Sequence, residues 1–344
     1  MYFNKYLRDF IIDPHLWWKK SFKDEELNDL SSSLTNVLEA SHAKSTNDKY
    51  SKAWHKWIQW SGTKPEIVSI PAKPFDVALY LNHLRLTKST RGSIISAFYG
   101  IRWAHTISGF ESPTESPFLQ AVYEGCTRMT STAKSKMEPL ESETIKKLIE
   151  SYGKDDSIQN LRFLILATIG FTGFMRIEEI LKLKLENIRI KSDRLEIILD
   201  KSKNDQYHEG NIIPISRLDS ENCRVKIFEK FLSKANLDIK TDDQCFLIPR
   251  IFKCKKGHKV SKSLGLSYTR AREIFHEFLK PFKEAGVRYG LHGLRSGGAS
   301  EAANNGISDR LISKHGRWKS QNARNGYIKD SMKTKLNISK SLGL

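Results

Sequence analysis

Six side chains of this 344-residue sequence stand out for the chemistry their types could do together. Arg176 lies in TGFMRIEEI. His292 and Arg295 lie in HGLRSGGAS. Trp318 and Tyr327 lie in RWKSQNARNGYIKD, and Lys203 lies in a polar stretch between two strand-like runs. His292 and Arg295 are three residues apart, so on a helix they share a face. Guanidinium groups are planar, match two non-bridging oxygens of a phosphate, and stay charged at any relevant pH. Imidazole, amine and phenol groups can take or give protons. A lone His-x-x-Arg is a weak signal; six such residues on a strongly basic chain are a stronger one.

In chain order, Arg176, Lys203, His292, Arg295, Trp318 and Tyr327 resemble the catalytic set of the tyrosine recombinase (phage-integrase-type) family. The resemblance covers the chain after residue 139; before that, the sequence matches only as a small helical DNA-clamping domain ahead of a linker. It implies a hydroxyl attack on a DNA phosphodiester through a phosphorane-like transition state. Arg176 and Arg295 would be its electrostatic clamp, the kind of contribution that is usually largest. Tyr327 would be the nucleophile. Only about 0.1% of a free phenol is ionised at pH 7, so it needs a cationic field and a base, for which His292 is the candidate. Lys203 on a hairpin would protonate the leaving 5′-oxygen, with Lys201 as its neighbour and rival. Trp318, where the family more often has His, would fill the phosphate pocket and donate its indole N–H. His315, just upstream, would cap a helix or touch phosphate. Glu179 would orient the Arg or His groups, with Glu178 as its rival. The product would be a 3′-phosphotyrosyl enzyme, whose conserved bond energy lets the strand be rejoined without metal or ATP. Type IB topoisomerases share this chemistry. The rival from another class, a DNA-binding protein that does not cleave, fits poorly with a complete set of six. The HGRWKS-to-NGYI stretch is most similar to recombinases of eukaryotic mobile elements (crypton or DIRS-like).

The elements that must position this set are mostly helical. The polar stretch around residues 131–139 reads as a linker between an N-terminal domain, residues 1–130, and a catalytic domain, residues 140–344. In the first domain Tyr50, Ala53, Trp54, Trp57 and Ile58 recur at helical spacing, with Ser45 and Thr46 as candidate caps. Further helices begin near Pro74, Ser89 and Pro117. In the second domain Ser142 is a candidate cap. SIQNLRFLILATIGF reads as a buried helix that ends at Gly173, and RLEIILDKS and GNIIPIS read as two strands. Helices follow around 220–235, 269–284, 293–304, 309–316 and 321–328. Within the last, Gly326 would weaken the helix beside Tyr327 by about 1 kcal/mol. The expected fold class is mainly α with a small antiparallel β-sheet: an all-α domain followed by an α+β catalytic domain.

Composition agrees with a nucleic-acid partner. The chain is 39% hydrophobic and 28% charged, near ordinary globular values, and 57 Lys and Arg against 39 Asp and Glu give a net charge of +18. Such an excess favours a polyanion, with nucleic acid first and an anionic membrane surface second. Residues 134–344 carry 41 basic against 26 acidic residues, so most of the excess lies with the proposed catalytic set. No stretch approaches the roughly 20 apolar residues that cross a bilayer, which excludes an integral membrane protein. The N-terminus lacks the pattern of a secretory signal. Four cysteines do not make a disulfide scaffold. Cys245, Cys254 and His258 have no CxxC pair and no fourth ligand, so neither metal nor another cofactor is expected.

Double-stranded DNA is the expected partner. Lys49, Lys52 and Lys56 fall opposite the apolar face of their helix and would follow phosphates. Arg270 and Arg272 fall in the first turn of a helix that the family sends into the major groove; Arg270 would read a base or hold a phosphate. The cationic run from Lys253 to Lys259 reads as a phosphate-contacting loop, a nuclear targeting signal or a solvated loop. The resemblance also implies a tetramer on DNA, with the C-terminal segment around Met332 and Leu336 docked on a neighbouring protomer or packed in cis. The expected location is with DNA inside the cell, in the nucleus or the nucleoid according to host.

Overall fold

A computed structural model describes residues 14, 18, 20–131, 137–155, 157–199, 211–220, 223–255 and 257–343. Contacts divide the chain into two units, Met1–Lys134 and Ser135–Leu344. Residues 132–136, inside the expected linker, lie outside the described residues, as does the segment 200–210 that contains Lys201 and Lys203.

The first unit holds five described α-helices: α1 (Glu25–Ala40), α2 (Lys44–Ser61), α3 (Pro74–Leu86), α4 (Arg91–Ile107) and α5 (Pro117–Met129). Pro at the first turn starts α3 and α5, where its missing N–H is no loss. The apolar spacing of α2 buries Ala53, Trp54 and Trp57 against Leu81, Ile94 and Ile101. Trp57 stacks on Trp60 at 5.7 Å, and its indole N–H donates to the Ser69 carbonyl at 2.9 Å. The expected caps are not used. Helix α2 begins at Lys44 behind Ala43, so Ser45 and Thr46 lie inside its first turn. The helix at Ser142 likewise begins on that residue, behind Glu141. Both differ from the sequence reading by only a residue or two, within the range over which helix ends fray.

The second unit is built around α7 (Ile158–Thr172), buried along its length from Leu161 to Phe171. Helices α6 (Ser142–Tyr152), α9 (Arg224–Ala235) and α11 (His292–Asn304) pack on it. The short α8 (Ile177–Ile180) follows α7, and a three-stranded antiparallel sheet comes next: β1 (Ile188–Ile190), β2 (Arg194–Leu199) and β3 (Asn211–Ser216). Its register pairs Ile188 with Ile197 and Ile197 with Ile213, which puts one isoleucine face on the core. Strand β1 escapes sequence reading because three residues carry no period.

A second sheet is a correction to the single sheet expected. Strands β4 (Pro249–Cys254) and β5 (Gly257–Gly265) form an antiparallel ribbon, and Lys253, His258 and Lys259 of the cationic run lie on its strands. Most of β5 is exposed on both faces, so it has none of the apolar alternation that marks a half-buried strand. Helices α10 (Tyr268–Leu279), α12 (Asp309–Gly316), α13 (Gln321–Asn325) and α14 (Met332–Ser341) complete the unit. Among the described residues no helix is long and apolar enough to cross a membrane.

Candidate active site

The site starts where α7 ends. Gly173 caps the helix, and Phe174 follows at φ 44°, a left-handed conformation that is rare for a bulky side chain. Such a residue costs about 1–3 kcal/mol and persists only where the surroundings hold it. Here they do. The Phe174 carbonyl accepts from the guanidinium of Arg295, and more weakly from Arg317 Nη2 at 3.4 Å.

Arg295 is fully buried on α11. Its Nη1 donates to Phe174 O, and its Nη2 donates to Gly316 O at 2.7 Å. Its Nε finds no hydrogen-bond partner among the described residues. Burial, then the nearby charges of Arg176 and Arg317, pull its pKa down to about 10, which still leaves it charged at neutral pH. The close fit of α11 needs glycine: a Cβ on Gly298 would stand 1.9 Å from the Phe171 carbonyl oxygen. Gly316 has the same role under Trp318, whose ring would lie 1.9 Å from an added Cβ.

Arg176 takes the N-cap position of α8. Glu179, one turn on, accepts from the Arg176 N–H at 3.0 Å and from its guanidinium at 2.6 Å. The oxygen that takes the Arg176 N–H, Oε2, also accepts from Arg317 Nη2 at 2.9 Å. Burial pushes the Glu179 carboxyl up, but Arg317 and then the Arg176 contacts outweigh it, and its pKa falls below the ordinary value. Glu178 is exposed and makes none of these contacts.

Arg317 is the residue that sequence reading missed. Its side chain is 5% exposed, its backbone is left-handed at φ 57°, and it also donates to the carbonyls of His315 and Gly173. Its only sequence signal is its place in KHGRW between two residues already singled out. His315 is tied to the end of α7: its Nε2 bonds the Thr172 carbonyl at 2.8 Å and its ring meets Phe174 edge-on.

Tyr327 and Trp318 close the site. With Phe174, Ala299 and Ile312, Trp318 forms a small apolar cluster against which Tyr327 packs. The Arg295 guanidinium carbon lies 4.5 Å from the Trp318 ring centroid and 4.9 Å from that of Tyr327. The His292 ring is 4.9 Å from Tyr327, and the Trp318 ring is 5.2 Å from it. Partial loss of solvent, then Arg295 and Arg176, hold His292 below the ordinary imidazole pKa, so it is neutral at pH 7. The Trp318 indole N–H is buried without a partner among the described residues, as are Nε of Arg295 and of Arg317. Helix α13 ends at Asn325, and Gly326 is its C-cap rather than an interior residue. The segment carrying Tyr327 is fixed to α11 instead: Ser300 Oγ donates to Tyr327 O and accepts from Lys329 N, and Asn304 Nδ2 donates to Lys329 O.

The structure thus brings together Arg176, Glu179, His292, Arg295, Trp318 and Tyr327. The other candidates lie elsewhere. Lys49, Lys52 and Lys56 line a concavity of about 460 Å³ beside Ser89, Thr90 and Ser93. Arg270 sits in the first turn of α10, but Arg272 is in the second, because the helix already begins at Tyr268. Among the described residues no group of three His, Cys, Asp or Glu is placed to hold a metal.

Comparison with known proteins gives the family. The Phage integrase family pattern matches residues 135–334, which span every member of this cluster. This chain belongs to the phage integrase family. It is accordingly an enzyme of the tyrosine recombinase type, one that cleaves and rejoins DNA. An integrase/recombinase, a xerD homolog of Selenomonas ruminantium, is 25% identical over 318 residues, covering 90% of this chain and 88% of the relative. Recombinase cre of Escherichia phage P1 is 24% identical over 294 residues, with 81% of each chain covered. The fold is that of the XerH site-specific recombinase in a post-cleavage complex with a palindromic difH substrate: TM-score 0.58, 16% identity, 97% of this chain and 95% of that one.

Among the described residues Glu179 is the one carboxylate bonded to both Arg176 and Arg317. For this integrase-family chain, Glu179→Gln should cost about 3–5 kcal/mol in urea unfolding at pH 7, because it leaves buried charges uncompensated. A carboxylate whose folded pKa is depressed adds stability above its unfolded pKa and loses it as pH falls through the folded one. Wild-type stability should therefore decline below the ordinary glutamate pKa, and the variant should lack that part of the decline. Equal stability of the two proteins at pH 7 would show that Glu179 does not hold the cluster.

Proposed function

We propose that this integrase-family enzyme performs site-specific DNA recombination through Tyr327, and that its reacting phosphate is held by Arg176, Arg295 and Trp318. One observation carries this reading: the phenol lies against a buried guanidinium, beside two buried N–H donors, Arg295 Nε and Trp318 Nε1, that have no partner among the described residues. Unsatisfied buried donors cost about 1–3 kcal/mol each. A phosphodiester oxygen would satisfy them, most strongly when negative charge builds in the transition state.

The Tyr327 hydroxyl oxygen attacks phosphorus while its proton passes to neutral His292. The bond from phosphorus to the 5′-oxygen breaks, and Lys203, which lies outside the described residues, gives that oxygen a proton. The product is a 3′-phosphotyrosine and a free 5′-hydroxyl. Attack by a 5′-hydroxyl from the exchanged strand reverses each step and frees Tyr327. Arg317 touches carbonyls and Glu179, and so acts by positioning the cluster.

Lys49, Lys52 and Lys56 contact backbone phosphates, and Arg270 and Arg272 contact DNA from α10. Assembly is a tetramer on DNA. Two features support exchange of the C-terminal helix between copies. Met332, Leu336, Ile338 and Leu342 are exposed on or just after α14. An apolar groove of about 780 Å³ opens between Ile212, Pro214, Ile307 and Leu311. Assignment to eukaryotic mobile elements rests on the HGRWKS-to-NGYI stretch alone, and the relatives named above come from a bacterium and a phage.

A DNA duplex nicked near the cleavage point loses its short leaving strand and traps the covalent intermediate. Wild-type protein should form a denaturant-resistant protein–DNA adduct in EDTA, and Tyr327→Phe should form none. An adduct with the Phe variant, or none with wild type, overturns the mechanism. Separately, Lys52→Glu and Lys56→Glu should weaken binding to unrelated duplexes alike, each making the slope of log K against log salt shallower by about 1. Anisotropy titrations over a salt series measure this, and unchanged slopes would leave that face of α2 as plain solvated surface.

A further inference from the structure

The cationic ribbon is not used by the chemistry above, yet it borders a concavity of its own. About 380 Å³ of space is lined by Arg162, Arg250, Lys253, His258 and Arg270, with Gln159 beside them. No Asp or Glu is among the described residues that line it. Three local features converge there. Lys253 and His258 are direct cross-strand partners in the ribbon, so they share a face. The pairing slips between Pro249 and Ile251, so Arg250 and Ile251, though adjacent in sequence, both border the space. Arg162 is 6% exposed on α7 and is held in place by donating to the Pro249 carbonyl at 3.0 Å.

We propose that this concavity is a second phosphate subsite, one that takes a DNA backbone phosphodiester other than the one that reacts. This rests on the reading of the chain as a DNA-cleaving recombinase. Like charges gathered without a lining carboxylate repel one another, and a bound phosphate relieves that repulsion. Burial, then the charge of Arg270, draws the Arg162 pKa down to about 10, in keeping with a cluster short of anions. Glu273 offsets only Arg270, through a pair in which both side chains are half exposed. The subsite cannot share the reacting phosphate. Arg162 is ten residues before Thr172 on α7, about 15 Å along the helix axis, and it is Thr172 that His315 holds at the active site. The fixed guanidinium of Arg162 forms the floor, and Arg250, Lys253 and His258 form an exposed rim that can close on a strand.

The test compares Arg250→Gln/Lys253→Gln with wild type and with Lys146→Gln/Lys147→Gln, a control pair on exposed α6 positions outside the concavity. Arg162 is left intact because its loss would unsettle the core. In duplex binding over a salt series, the rim variant should show a slope of log K against log salt shallower by about 1, and the control should match wild type. An unchanged slope in the rim variant, or an equal change in the control, overturns the subsite. Titration of inorganic phosphate into DNA-free protein separates the sources. If phosphate binding depends on the rim while the DNA slope does not, the concavity serves a free anion and the DNA assignment is wrong. Adduct formation by wild type on nicked duplex, measured alongside, keeps the two readings apart: an adduct with an unchanged slope sinks the subsite alone, and no adduct sinks the recombinase reading first.

Discussion

The second unit depends on burying one positive charge. Arg295 is fully enclosed on α11, and an uncompensated charge at such depth would cost several kcal/mol. The fold meets that cost with carbonyl oxygens rather than a direct carboxylate partner. Phe174 and Gly316 each present one, and each belongs to a strained or crowded segment: Phe174 has a left-handed backbone, and Gly316 has no room for a side chain under Trp318. Two terminal nitrogens are thereby fixed and Nε is left over. The guanidinium cannot turn toward another partner, so its remaining N–H donors, that of Nε among them, have set directions before any substrate arrives. That is electrostatic preorganisation in its plainest form.

The neighbouring groups follow from this constraint. Arg176 and Arg317 would repel Arg295 across the cluster, and Glu179 between them makes three guanidinium groups tolerable in one place. The aromatic rings of Trp318 and Tyr327 cover the charged group with apolar surface and still interact favourably with it. Tyr327 is held by packing, by its N–H on the Arg324 carbonyl at the end of α13, and by Ser300 of α11, which bonds its carbonyl and the Lys329 N–H.

Much of this was legible in the sequence, for identifiable reasons. Helix α7 announced itself by an unbroken apolar run, and α2 by Trp54 and Trp57 at helical spacing. Strands β2 and β3 announced themselves by runs of isoleucine. Chemistry of unusual residue types in a fixed order gave the cluster. What stayed hidden depends on tertiary contact. Arg317 looks like any surface arginine until Glu179 is seen beside it. The β4–β5 ribbon has too little buried surface to leave a period. The glycines at 298 and 316 could be read only as flexible or helix-breaking, since the backbone and ring that approach them are remote in sequence or fixed by packing. Lys203 falls on a segment outside the described residues, so its place rests on chain order alone.

The central claim is that the partnerless donors of Arg295 and Trp318 face the reacting phosphate. Nitrogen-15 NMR of the Arg295 Nε–H and Trp318 Nε1–H groups, before and after the enzyme is trapped on nicked duplex DNA, tests it most directly. New hydrogen bonds to phosphate oxygen should move both proton signals downfield and slow their exchange with solvent in the covalent complex. If the adduct forms while both signals keep their positions and exchange rates, the phosphate sits elsewhere and the account of this pocket is wrong.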